Sequence, residues 1–437
     1  MTLRFYQLTR FIFLAIALQP FVVQAQTIQY CGFDLVLQKL ADQNTNFEAS
    51  CTAVHMHTLR GAASTASNRA TVYQIPVVFH VVWNTEAQNL PDEVILDQLA
   101  ILNQDYRRQN PNAADTRDIF LDRAADAEIE FVLATEDPFG NPTNGINRVE
   151  TTRESFFFDL LSQSITVDEV KFAATGGADA WDTQNYLNIW VCNITAGFGL
   201  QPFGFAYPPN GAPNWEGTFN FIPDNVQGVV VHYTAVGSNS SVGLDDNFPG
   251  NEGGRTLTHE VGHYLGLRHT WGDAFFDGCA ADDGIADTPN IANNNNFACN
   301  FNANTCNDGV DDLPDMAENY MDYNQDECLN MFTEGQVAAM RYALEELRPE
   351  LIDGQVSVAE LALPNWAVFP NPAATVVTVQ AQQPCELVVR DLRGQAITTL
   401  TLRMGVNQVD VAQWAPGVYL LSDLQGRTTS RLIVTGE

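Results

Sequence analysis

One run, Thr258-His259-Glu260-Val261-Gly262-His263-Tyr264-Leu265-Gly266-Leu267-Arg268-His269, constrains this chain more than anything else in it. His259 and His263 are four residues apart, so on a helix both imidazoles lie on one face and can grip one metal ion. Glu260 then flanks that ion, where a carboxylate can take a proton from an activated water and pass it to a leaving amine. Gly266 matters for geometry: a glycine at positive φ ends the helix and turns the chain back, returning His269 as a third imidazole. Three neutral ligands and one open position make a catalytic zinc arrangement, because structural sites close the fourth position with protein. At ordinary residue usage, chance supplies these five fixed positions on the order of 10⁻⁴ times or less in such a length. Three of the chain's 7 histidines fall in this run, and His55, His57, His80 and His232 read as packing or surface residues.

The 437 residues carry 53 acidic and 21 basic side chains, a net charge of -32, yet 45% are hydrophobic and only 17% charged. That apolar mass predicts a folded protein of two or three domains. The acid excess repels phosphate backbones, which argues against nucleic acid as a partner and in favour of divalent cations. At the start, Arg4 and Arg10 precede the apolar run Phe11 to Val23 and the small-residue pattern Val23-Gln24-Ala25, so residues 1–25 read as a secretory signal peptide. A membrane anchor is the alternative, but the run is too short for ~30 Å of hydrocarbon and is broken by Pro20. A mature chain without a transmembrane anchor, secreted where disulfides persist, is the expectation. Cys279, Cys299, Cys306 and Cys328 cluster in a polar, Asn- and Asp-rich stretch that two crosslinks would pin. A zinc knuckle fits less well, since no pair has C-x2-C spacing.

From Val72 to Trp83 the chain is β-branched and aromatic, which predicts a buried strand. Pro91, Asp92 and Glu93 then open a helix whose apolar face is Ile95, Leu99, Leu102 and Tyr106. Further strands are expected over 128–134, 186–192, 203–207 and 229–233. Thr333 and Gln336 form a capping box for a helix with the stripe Val337, Met340, Leu344 and Leu347, stopped by Pro349. After Asp353-Gly354 only short strand-like runs and turns remain, which predicts a small all-β sandwich behind a linker. The expected fold class is therefore α+β followed by a β sandwich.

The zinc run resembles that of the metzincin metallopeptidases, whose longer motif it matches at all positions. Glu318-Asn319-Tyr320-Met321-Asp322-Tyr323 is similar to the methionine-containing turn those enzymes carry beneath the metal. Together with Asp287-Thr288-Pro289 and Asn330-Met331-Phe332-Thr333, the pattern over about 70 to 352 resembles the pappalysin family and its ulilysin-like bacterial members. The resemblance implies a twisted mixed sheet with a backing helix and an active-site helix, and a small C-terminal subdomain holding the Met-turn. It implies His259, His263 and His269 as zinc ligands, Glu260 as general base and acid, Met321 as the base of the site, and Tyr323 as a donor to the tetrahedral intermediate. It also implies the pairings Cys279 with Cys306 and Cys299 with Cys328, where spacing alone leaves three connectivities open. The oxygen-rich loop Asp282 to Thr288 is either a solvated acidic loop or, as the resemblance implies, a structural calcium site with Asp283, Asp287 and Thr288 as candidate ligands. An acid just before the last cluster cysteine selects a basic residue after the cut in ulilysin-like enzymes, and here that acid is Glu327 in place of the more usual aspartate.

The resemblance further implies that residues 26–69 are a propeptide in which the Cys31 thiolate fills the open zinc position, with a Cys31–Cys51 disulfide as the alternative and self-release near Arg60 or Arg69. Residues 70–352 form the peptidase domain and 353–362 the linker. Residues 363–437, with Phe369-Pro370-Asn371-Pro372-Ala373 and Gly417-Val418-Tyr419-Leu420, resemble the C-terminal sorting domain read by the type IX secretion system of certain Gram-negative bacteria. A small carbohydrate- or substrate-binding sandwich is the alternative there. The whole reads as a secreted zymogen of a zinc endopeptidase acting on proteins or peptides, threaded along an edge strand such as Gly228 to Tyr233. Its rivals are a cell-surface adhesin or binding protein with a structural metal site, and a metal hydrolase of another bond.

Overall fold

The computed structural model describes residues 28–64, 71–159, 165–197, 200–218, 220–238, 253–272, 278–292, 299–309, 312–353, 366–381, 384–391, 396–423 and 429–435. The expected signal peptide, Arg69 and all of the expected linker except Asp353 lie outside the described residues. The chain divides into two compact units, Met1–Gly354 and Gln355–Glu437.

The first unit opens with β1 (Ile28–Cys31), α1 (Phe33–Gln43) and α2 (Phe47–Ser64), then β2 (Tyr73–Trp83) and α3 (Asp92–Tyr106). There follow β3 (Ala124–Ala125), β4 (Ile129–Leu133), β5 (Ile146–Glu150), β6 (Phe156–Phe158), β7 (Leu187–Cys192), β8 (Ile194–Ala196), β9 (Leu200–Ala206) and β10 (Val229–His232). The run of His259 lies on α4 (Arg255–Tyr264), and β11 (Phe332–Thr333), α5 (Glu334–Leu347) and α6 (Glu350–Asp353) close the unit.

β2 is the spine, because an eleven-residue β-branched run can be buried on both faces only at the centre of a sheet. It pairs in parallel with β7 on one side and with β4 and then β5 on the other. The sheet order is β1-β9-β10-β7-β2-β4, mixed because β9 runs antiparallel to β10. Ile75, Val77, Phe79 and Val81 alternate onto one face, in a core shared with Ile95 and Leu102 of α3, Leu257 and Val261 of α4, and Val337 and Met340 of α5. The opposite face packs Trp190, Cys192, Phe205 and Val230 against Phe156 and Phe158, and Val36 of α1 joins that core. Thr333 caps α5 and Gln336 completes the box.

The structure corrects one expectation about the sheet. Gly228 to Tyr233 does not border solvent, since β10 lies between β9 and β7. Apart from β1, the strand at the rim of the sheet is β9, and Pro202 within it has no N–H to donate, which suits a strand near an edge. β1 covers that edge in parallel, with Ile28 opposite Leu200 and Cys31 opposite Gly204.

The second unit comprises β12 (Trp366–Phe369), β13 (Val376–Ala381), β14 (Cys385–Asp391), β15 (Ala396–Leu402), β16 (Gly405–Asp410), β17 (Gly417–Asp423) and β18 (Thr429–Val434). They form two antiparallel sheets, β12-β13-β16 and β15-β14-β17-β18. Val377, Val379, Leu387, Val389, Leu421 and Leu432 fill the space between them with Trp366.

Candidate active site

α4 follows Gly254 and carries His259, Glu260 and His263, all buried, while Gly266 at φ +93° reverses the chain after it. The reversal returns His269, and the three Nε2 atoms converge: His259 to His263 is 3.1 Å, His263 to His269 3.1 Å and His259 to His269 3.2 Å. Each ring is oriented from its other nitrogen. His259 Nδ1 donates to the Tyr320 carbonyl (2.7 Å), His263 Nδ1 to the Leu267 carbonyl (2.9 Å), and His269 Nδ1 lies 3.1 Å from Asp34 Oδ1. With Nδ1 protonated, the three Nε2 lone pairs face one another, an arrangement that repels unless a cation sits between them. Tetrahedral nitrogen donors about 2.0–2.1 Å from zinc lie roughly 3.3 Å apart, so these residues fit that ion. Burial, with His269 and His259 adding to it, holds the His263 imidazole well below its ordinary pKa, which keeps it neutral as a ligand must be.

Cys31 completes the cluster, its Sγ lying within 4.8 Å of the ligand nitrogens of all three histidines. The Phe33 N–H donates to that sulfur (3.3 Å), and the Tyr323 hydroxyl donates to the Cys31 carbonyl (3.3 Å). Burial pushes the Cys31 thiol well up and the adjacent Glu260 carboxylate adds to the shift. A bound cation would reverse that balance by favouring thiolate. Neither Cys31 nor Cys51 is disulfide-bonded, so the alternative Cys31–Cys51 crosslink is not formed. Glu260 is fully buried, and desolvation raises its carboxyl to about 8 against the opposing pull of the Cys31 thiol. Beneath the rings, Met321 is buried where any side chain at residue 262 would collide with its sulfur, which explains Gly262 in the motif.

Of the other residues singled out from the sequence, Tyr323 faces the cluster, its ring centroid 4.9 Å from that of His269. Cys279–Cys306 and Cys299–Cys328 are disulfides. Glu327 is exposed, and its backbone carbonyl accepts from Asn112 (3.2 Å). Asp283 and Thr288 touch, the hydroxyl donating to the carboxylate at 2.8 Å, whereas the Asp287 carboxylate turns to the Gly335 N–H at the start of α5 (2.9 Å). Sequence reasoning missed three neighbours of the ligands. Asp34 meets His269, Phe33 stacks on His263 with centroids 3.8 Å apart, and Trp271 stacks on His269 at 4.3 Å. Phe33 and Asp34 stand two and three places from Cys31, but nothing in the sequence says which histidine each meets. Trp271 follows His269 by two, and only the turn after the helix puts its ring on that imidazole.

The family description pregnancy-associated plasma protein-A matches residues 174–345, and the secretion system C-terminal sorting domain matches residues 367–435. Mature mirolysin of Tannerella forsythia, solved in complex with a cleaved peptide, is 41% identical with a TM-score of 0.55, over 65% of this chain and 96% of that one. Promirolysin of the same organism is 38% identical with a TM-score of 0.60, over 74% of this chain and 97% of that one. An extracellular metalloprotease of Arthroderma gypseum is 27% identical over 281 residues, which are 64% of this chain and 74% of its own.

Proposed function

Because the chain belongs to the pappalysin family of secreted metalloendopeptidases, we propose that it is a zinc peptidase in which His259, His263 and His269 hold the metal, Glu260 moves the protons and Cys31 imposes latency. The observation that carries the reading is the meeting of three buried Nε2 atoms with the buried Glu260 carboxylate one helical position away. A zinc ion held there supplies Lewis acidity, polarising the scissile carbonyl and acidifying a water.

The rest is the work of the chain. Glu260, buried next to His259 on α4, takes a proton from the attacking water as a carboxylate and delivers it to the departing amine. The Tyr323 hydroxyl, released from the Cys31 carbonyl when the prosegment leaves, donates to the oxygen on which charge develops. With β1 gone, the edge of β9 is open for a substrate strand. Glu327, an exposed acid, would favour Arg or Lys at the residue following the cut. Calcium in the Asp282 to Thr288 loop is supported by the burial that pushes the Asp283 carboxyl well up and by a buried Asp287 oxygen without a hydrogen-bond partner. The sorting domain, as the address for type IX secretion, takes no part in the chemistry.

The test is a peptide library digested by the matured protein and by its Glu260→Ala variant, with product termini read by mass spectrometry. Cleavage that is lost in the variant, lost with a zinc chelator, and leaves Arg or Lys at new N-termini is the expected result. Equal cleavage by the Glu260→Ala variant would remove Glu260 from the mechanism, and new N-termini without basic residues would remove Glu327 as the selector.

A further inference from the structure

The prosegment touches the peptidase part at a second place, through residues of α2 that do not themselves meet the three histidines. On α2, the His55 Nε2 meets the Asp283 carbonyl at 2.7 Å, and both groups are buried. Leu59 packs against Gly284, so closely that a side chain at residue 284 would collide with it. His57 stacks on Trp215 with ring centroids 5.0 Å apart, and Trp215 stacks in turn on Tyr342 of α5 at 6.2 Å. Gly61 lies so near the Tyr342 ring that a Cβ there would fall inside it. A glycine inside an eighteen-residue helix weakens that helix relative to alanine. Its presence is accounted for by the close approach to Tyr342, which a longer side chain would prevent.

We propose that Trp215, Asp283, Gly284 and Tyr342 form a second binding surface for residues 28–64, which holds the prosegment on the peptidase after its covalent connection has been cut. The inference rests on the reading of residues 26–69 as a propeptide. Two anchors joined through one short helix, α1, raise each other's effective concentration, so loss of either alone leaves the fragment bound. Maturation then has two steps, a cut that frees the connection and a second event that breaks the α2 anchor. Arg60 is exposed on α2 between His55 and Gly61, and a cut before it would divide that anchor.

The experiment uses the full chain with residues 65–70 replaced by the recognition sequence of an added protease, and with Glu260→Ala to prevent self-digestion. Cys31→Ser is added so that the sulfur anchor is absent, and the cut protein is followed by size exclusion. Fragment 28–64 is expected to co-elute with the peptidase. Gly61→Val and, separately, His55→Leu are expected to weaken retention roughly tenfold or more, as loss of a packed anchor does. His55→Gln, which keeps a donor toward the Asp283 carbonyl, should restore it. Immediate loss of the fragment from the Cys31→Ser protein, or retention indifferent to both α2 substitutions, would overturn the proposal. Co-elution is read without any activity, so this outcome is separate from whether the histidines carry a zinc peptidase site.

Discussion

Asp105 ties together groups that the chain brings from three directions. Its Oδ1 accepts from the Tyr320 hydroxyl (2.8 Å), its Oδ2 from the Thr258 hydroxyl (2.7 Å), and Arg255 pairs with it at 3.2 Å. Tyr320 is also the residue whose carbonyl orients His259, and the Arg255 guanidinium donates to the Asp326 carbonyl at 2.7 Å, next to Glu327. Removing the carboxylate leaves a buried guanidinium without its counter-charge, so Asp105→Ala is expected to cost about 3–5 kcal/mol. Chemical denaturation reads that cost, and an unchanged midpoint would show the network to be dispensable. Tyr323→Phe makes the opposite kind of change, removing one donor at the surface of the site. It is expected to lower kcat on the order of 10²-fold with KM little altered. A change confined to KM would assign Tyr323 to substrate binding. His259, Glu260 and His263 could be singled out from spacing because helix periodicity brings i and i+4 together whatever the fold, and His269 from the glycine that ends the helix before it. Asp105 could not, since its partners Arg255, Thr258 and Tyr320 lie 150 or more residues away.

At the scale of elements, β2 places a histidine in the middle of the sheet. His80 is fully buried, bonded to Asn188 (2.8 Å) and Asn147 (3.0 Å) in its neutral form, with Trp190 stacked on its ring. Burial lowers its pKa to about 4, and that of His232 at the end of β10 to about 3. Between these values and an ordinary histidine pKa near 6.5, the unfolded chain binds protons that the folded chain refuses. Stability therefore falls as pH drops from about 6.5 toward 4, and His80 alone accounts for about 3 kcal/mol of that fall. Denaturation midpoints at pH 7 and pH 5 should show the loss, and His80→Gln should flatten the slope. A slope identical in the variant would move the cause elsewhere. The strand itself was legible in the sequence, as were α3, α4 and α5, because each carries its own periodicity or cap. The place of β10 inside the sheet was not, since pairing depends on what β9 does some 25 residues earlier. Nor were α1 and α2 anticipated. The buried side of α2 includes Ser50, His55 and Thr58, polar residues whose burial makes sense only once the peptidase surface beneath them is known.

Among the described residues, each of the two units has buried clusters of its own. The peptidase unit builds its cores from residues up to 351, and the sandwich builds its own from Trp366 to Val434. A chain so divided has no reason to unfold in one transition. Calorimetry of the full chain should resolve two, and only one should depend on metal. The ion proposed for the cluster would bridge α4, the turn to His269 and Cys31. A ligand present at 100 to 1,000 times its Kd adds about 3–4 kcal/mol to whichever unit binds it. For a unit of this size, a zinc-selective chelator is then expected to lower one midpoint by about 4–6 °C. Added zinc should restore the midpoint and added calcium should not, whereas a role for the Asp282 to Thr288 loop alone would reverse those two results. The sandwich transition should stay where it was in every case, because no residue of that unit belongs to a cluster of metal-ligating groups among the described residues. If both midpoints move together under the chelator, the units share a cooperative core, and the sorting domain is then part of what keeps the peptidase folded.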